Sequence, residues 1–199
     1  MDLPAARRYA LGRLTHDLPR NLFYHNMEHT LLVTEAARRI GLLEGLPEKE
    51  LMLLETAALY HDLGFIRRYS DNETISCDFA KESLPGCGFQ PDEIEAVCRM
   101  IMATQIPQSP QNLSEMVLCD ADLDYLGTDG FAVGSSALRK ELAGQGRLFS
   151  EREWMLFVLR FLKGHHYFTA TAVRTRDDSK RAHMAAWQEQ LLSMPTDEV

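Results

Sequence analysis

Along most of this chain apolar residues recur three and four positions apart, and no run alternates long enough to read as a strand. The pattern predicts helices over 4–17, 26–44, 48–63, 72–84, 91–104, 113–126, 130–143, 150–164 and 179–194. Several starts carry their own chemical signs: Pro91 precedes Asp92 and Glu93, Asn112 stands three before Glu115, and Ser150 three before Glu153. The stretch Gln105 to Asn112, with Pro107 and Pro110, cannot continue a helix. Its place just before a pair of carboxylates puts it near the mouth of any site built there. No linker interrupts the pattern, so the expectation is an all-α, single-domain helical bundle spanning 1–199. At 199 residues, 45% of them hydrophobic and 25% charged, the chain is long enough to bury a substantial core.

Two clusters of metal-binding side chains stand out against this background. In Tyr24-His25-Asn26-Met27-Glu28-His29, the two imidazoles lie four residues apart at the head of the second helix and emerge from one face. The second cluster, His61-Asp62, closes the third helix in what reads as its last turn, just before Gly64. Adjacent helical positions diverge by roughly 100°, so one ion takes both only if it sits between their directions. A further carboxylate is expected from Cys119-Asp120-Ala121-Asp122-Leu123. Residues two apart on a helix point to nearly opposite faces, so one of Asp120 and Asp122 binds, and the residues alone leave the two nearly even. Mixed imidazole and carboxylate ligation suits divalent ions such as Mn, Fe, Co, Ni or Zn, with Mg also in range, and an open position would hold water. His16, His165 and His183, lone histidines on helical stretches, read as ordinary surface or hydrogen-bonded residues.

With these residues in view, the chain resembles the HD-domain superfamily of metal-dependent phosphohydrolases. The Tyr-His-Asn-x-x-His element at Tyr24 to His29 and the Ala121-Asp122-Leu123 triplet are similar to the metal site of cyclic-nucleotide phosphodiesterases, which belong to that superfamily. The resemblance covers about 24–127. It implies an HD-type bundle with His29, His61, Asp62 and Asp122 as metal ligands and His25 as proton donor to the leaving group. The implied reaction is cleavage of a phosphomonoester or phosphodiester, of a nucleotide or related small molecule, by metal-bound hydroxide. The stretches Asp71-Asn72-Glu73 and Ala103-Thr104-Gln105 lack the extra histidines that some members use for further metals. They leave room for a second, weakly held ion bridged by Asp62 and water, with Glu73 as a water-orienting carboxylate. The alternatives are a catalytically silent metal- and nucleotide-binding regulatory module and a di-iron oxygenase. The second generally asks for histidines where Asn72 and Thr104 stand.

Composition narrows the partners. A formal charge of -8 and a pI near 5.4 argue against duplex nucleic acid and favour a small anionic substrate gripped by a local basic patch. Arg67 and Arg68, close behind the His-Asp pair, are the first substrate-binding candidates, because a guanidinium pairs two phosphate oxygens. The stretch from Lys163 through Thr169, followed by Arg174, Arg176 and Lys180, is the second. Cys77, Cys87, Cys98 and Cys119 form no Cys-x-x-Cys pair and sit in apolar helical surroundings, as reduced core thiols do. The N-terminus lacks a signal peptide's apolar core and no segment reaches membrane-spanning length, so a cytoplasmic location without membrane association is expected.

Overall fold

A computed structural model describes residues 1–194, and within them every regular element is helical. The helices are α1 (Leu3–Asp17), α2 (Met27–Leu43), α3 (Glu48–Tyr60), α4 (Asn72–Ser83), α5 (Pro91–Ala103), α6 (Leu113–Asp122), α7 (Phe131–Gly144), α8 (Glu151–Gly164) and α9 (Ala170–Ser193). Short 3-10 turns at Leu63–Ile66, Leu84–Cys87 and Asp124–Gly127 follow α3, α4 and α6. No helix among the described residues is long and apolar enough to cross a membrane.

The centre of the first half is α3. From Leu53 to Tyr60 every one of its residues is buried, as for a helix that is apolar on all sides and surrounded by others. Helices α1, α2, α4, α5 and α6 pack around it, burying Ile40, Leu54, Tyr60, Phe79, Ile101 and Leu118 in one cluster. A second cluster gathers Leu126, Phe131, Leu142, Trp154 and Leu162 from the turn after α6 and from α7 and α8, with Trp187 of α9 against it. The candidate ligands lie on helix ends of the first cluster, next to the turn where the second begins.

Three boundaries differ from the sequence pattern by more than one residue; the sixth helix ends at Asp122 rather than 126, because Leu123, at φ -106° and ψ 16°, leaves it. The third helix stops at Tyr60 rather than 63: His61 keeps helical angles, while Asp62, at φ -106° and ψ 6°, leaves the helix. The last helix starts at Ala170, nine residues before 179, because Thr169 caps it by accepting the Ala172 N–H at 3.2 Å. Thr169 is itself fixed from outside, its backbone N–H and hydroxyl both donating to Asp120 at 2.8 and 2.7 Å. A run holding Thr169, Thr171, Val173 and Thr175 has weak intrinsic helix preference, so this turn depends on a tertiary contact that periodicity cannot register.

Candidate metal centre

Each ligand candidate is placed by a local device. Asn26 caps α2 by accepting the His29 N–H at 3.1 Å, an interaction typically worth about 1 kcal/mol, which sets His29 in the first turn. His61 ends α3, and its Nδ1 donates to the Ala58 carbonyl at 2.8 Å. A carbonyl only accepts, so the Nδ1 proton is fixed and the Nε2 lone pair of the neutral ring is left for another partner. The turn after it is pinned to α4: Gly64 N–H donates to Ser76 Oγ at 2.8 Å, and that hydroxyl donates to the His61 carbonyl at 2.6 Å. A Cβ on Gly64 would fall 1.9 Å from the Asn72 carbonyl oxygen, so only glycine permits this approach. Because Asp62 has left the helix, the divergence of adjacent helical positions no longer applies, and its carboxylate swings to the same point as His61.

The four side chains converge. Asp62 Oδ2 lies 3.4 Å from His29 Nε2 and 3.2 Å from His61 Nε2; Asp122 Oδ1 lies 3.2 and 3.4 Å from the same two atoms. One ligand atom from each of His29, His61 and Asp122 lies within 4.8 Å of the others, close enough for the three to share a cation, and Asp62 borders both imidazoles from the side. His29 Nε2, His61 Nε2 and Asp62 Oδ2 are buried and have no hydrogen-bond partner of acceptable geometry. Buried polar atoms are rarely left so, and three of them facing one point fit a cation. Burial pulls the His61 pKa down, but Asp62 and Asp122 more than offset it and hold the ring well above its ordinary value. Burial acts to raise both carboxylates, and the imidazoles outweigh it, so Asp62 and Asp122 stay below the usual range. The pocket thus concentrates negative charge that a proton, or a divalent ion, neutralises.

Asp120 has a different task. Its carboxylate accepts the Phe168 and Thr169 N–H groups and the Thr169 hydroxyl at 2.7–2.8 Å, docking the α8–α9 connection. It points away from the cluster, as the two-residue spacing requires.

His25 stands beside the cluster, its ring stacked on Phe65 at 4.2 Å and edge-on to His29 at 5.9 Å. Its Nδ1 is held by Glu141, a residue the sequence reading did not single out. Glu141 is fully buried on α7 and also accepts the Tyr24 and His25 backbone N–H groups at 2.8 and 3.0 Å and the Tyr69 hydroxyl at 3.0 Å. Burial lowers the His25 pKa, but Glu141, with Asp62 and Asp122, leaves it raised. With a divalent ion between Asp62 and Asp122 their pull on His25 would be cancelled, and Glu141 would remain as the group favouring the imidazolium. Glu141 lies 116 residues from His25 in a run of ordinary amphipathic spacing, so no local signal marks it.

Glu73, in the first turn of α4, is half-buried; burial, then Asp62 and Asp122, raises its pKa, which places it within electrostatic reach of the two carboxylates. Arg67 and Arg68 are engaged elsewhere. Arg67 pairs with Glu82 at 3.2 Å and lies over the Phe79 ring, while Arg68 pairs with Asp71 at 3.1 Å and donates to the Ser70 carbonyl at 2.9 Å. Neither lines the cavity that borders the ligand set, a space of about 500 Å³ between α2 and α7. His29 and Asp122 form part of its wall, and the basic groups on it are Arg39 and Arg176. The Pro-rich stretch 105–112 also lies off this cavity: Gln108 donates to the Cys119 carbonyl, and Ser109 and Gln111 edge a separate groove with Cys77 and Cys98.

Residues 26–124 match the family model described as HD domain. Three solved structures are similar over nearly the whole chain. A predicted HD superfamily hydrolase from an uncultured Thermotogales bacterium is 21% identical with a TM-score of 0.63, the match covering 94% of this chain and 91% of that one. A protein from Lactobacillus plantarum is 19% identical with a TM-score of 0.69, covering 97% and 98%. Bacillus subtilis YpgQ, solved in complex with ADP, is 21% identical with a TM-score of 0.68, covering 98% and 95%. No curated protein matches this chain. At these identities the structural likeness speaks for the fold.

Proposed function

This chain belongs to the HD-domain superfamily of metal-dependent phosphohydrolases, and on that premise we propose that it hydrolyses a phosphomonoester or phosphodiester of a nucleotide or related small molecule. The observation that carries the reading is the ring of four donors, His29, His61, Asp62 and Asp122, at 3.2–3.4 Å with unpartnered buried atoms facing inward. A divalent ion held there would acidify a bound water and neutralise charge on the phosphoryl oxygens. The ADP bound to YpgQ supports a nucleotide as the ester class.

The chain's own residues supply the remainder. His25, protonated and held through Nδ1 by Glu141, presents Nε2 as the acid that returns a proton to the departing oxygen. Glu73, half-buried in the first turn of α4 with its pKa raised by burial and by Asp62 and Asp122, orients water at the edge of the site. Tyr24 and Phe65 wall the imidazoles, excluding solvent and strengthening every charge interaction inside. A pure binding module has no use for an imidazole locked by a fully buried carboxylate, which favours turnover over a silent site. Oxygen chemistry at two irons finds no histidine at Asn72 or Thr104, and the Thr104 hydroxyl is spent on the Ile101 carbonyl.

The test is elemental analysis of the purified protein, followed by a phosphatase and phosphodiesterase screen with Mn, Co, Ni, Mg and Zn. The expected result is stoichiometric metal with turnover. Absence of metal under every loading overturns the site, and metal with no turnover of any ester overturns the activity.

A further inference from the structure

The cavity beside the ligand set has a direction. On its α2 side it is lined by a stripe that starts at His29 and ends at Arg39 by way of Leu32 and Ala36, ten residues or about 15 Å along the axis. Opposite stand Tyr125, Val133 and Gly134. The middle of the space is apolar, with Leu32 and Val133 58% and 74% exposed at its mouth. The carboxylates of Glu28 and Glu35 are on its exposed rim; those inside are Asp122 at the metal end and Asp124 at the far end.

At that far end two guanidiniums share one carboxylate. Arg176 approaches Asp124 through Nε and Nη2 at 2.8 and 3.0 Å, and its Nη1 donates to the Thr175 carbonyl. Arg39 gives Asp124 a single N–H, from Nη2 at 2.8 Å. A guanidinium carries five N–H donors in a rigid fork, so most of those on Arg39 are uncommitted, and the trio bears one surplus positive charge.

We infer that the substrate has an apolar or aromatic body extending from its phosphoryl group along α2, with a second anionic group at its far end, and that Arg39, set by Asp124, receives that anion. This rests on the phosphohydrolase reading. A charge-assisted hydrogen bond contributes about 1.5–3 kcal/mol, which corresponds to roughly a tenfold to hundredfold preference for a ligand carrying the anion over one lacking it.

The experiment compares biphenyl-4-yl phosphate with the same ester carrying a 4′-carboxylate, as substrates of the metal-loaded protein and, in their phosphonate forms, as ligands in calorimetry. The wild type is expected to favour the carboxylated compound in both kcat/KM and Kd, Arg39→Gln to bring the two compounds level, and Arg38→Gln, which removes the neighbouring pair with Glu55, to leave the preference in place. A wild type with no preference, or a preference that survives Arg39→Gln, overturns the assignment. So does a loss of preference in Arg38→Gln equal to that in Arg39→Gln, since the effect would then come from a loosened α2. If neither ester is hydrolysed with any metal while the phosphonates still show the Arg39-dependent preference, the hydrolase reading fails and the assignment of Arg39 stands; turnover without preference is the reverse.

Discussion

Replacing Glu141 by Gln separates the site's two tasks. The carboxylate has two oxygens for four donors: Oε2 takes the backbone N–H groups of Tyr24 and His25, and Oε1 takes the Tyr69 hydroxyl and His25 Nδ1. Glutamine keeps one acceptor oxygen, which the fixed backbone donors claim, and turns its NH2 toward His25. The imidazole then accepts at Nδ1 instead of donating, and the imidazolium loses its counter-charge. Loss of one charge-assisted hydrogen bond removes about 1.5–3 kcal/mol, and at 1.36 kcal/mol per unit this lowers the His25 pKa by about one to two units. An acid works only while protonated, so activity falls as pH rises through its pKa, and in Glu141→Gln that limb moves to lower pH. On its alkaline side kcat drops about tenfold to hundredfold. The assay is kcat against pH with Mn for two esters, one with an alkoxide leaving group and one with p-nitrophenoxide, which departs without a proton. The alkoxide ester should show the full loss and the nitrophenyl ester little, with metal content unchanged. An equal loss for both esters, an unmoved limb or loss of metal would refute the role of Glu141 as the anchor of a proton donor.

Asp122→Ala should abolish metal binding, whereas Asp120→Ala should retain the metal and lower the urea-derived stability by about 2–4 kcal/mol through its three lost hydrogen bonds; the opposite pattern would make Asp120 the ligand. Without metal, His61 is held protonated by Asp62 and Asp122, so its raised pKa contributes stability below its ordinary value of 6.5 that is lost as pH rises through the folded value. A metal replaces that proton, so the rise in Tm on adding Mn should grow from about pH 6 to about pH 8, and a Tm increment flat across that range would show that no proton is displaced.

Most helices were legible because their apolar faces repeat and their caps are local: Asn26, Asn112 and Ser150 each accept the N–H three residues on. The cluster of candidate donors was visible for a related reason, since His25 and His29 sit together at the head of α2 and His61 and Asp62 are neighbours in sequence. What escaped was whatever depends on a distant partner. The end of α3 at Tyr60 is fixed by Ser76, the start of α9 by Asp120, and the orientation of His25 by Glu141. The first substrate-binding candidates, Arg67 and Arg68, were chosen by nearness in sequence, and the chain turns them onto Glu82 and Asp71; Arg176, from the second candidate stretch, does line the cavity, together with Arg39, which the sequence reading did not single out.

All four donors fall between residues 29 and 122, inside the segment 26–124 that the family model recognises, whereas Glu141 lies on α7 beyond it. On the proposed roles, holding an ion and delivering a proton would therefore reside on separate stretches of the chain. Drift in α7 would then retune or silence turnover with the ion still bound, and a relative that kept all four donors but lost the carboxylate at this position would read as intact by its motif and behave as a receptor.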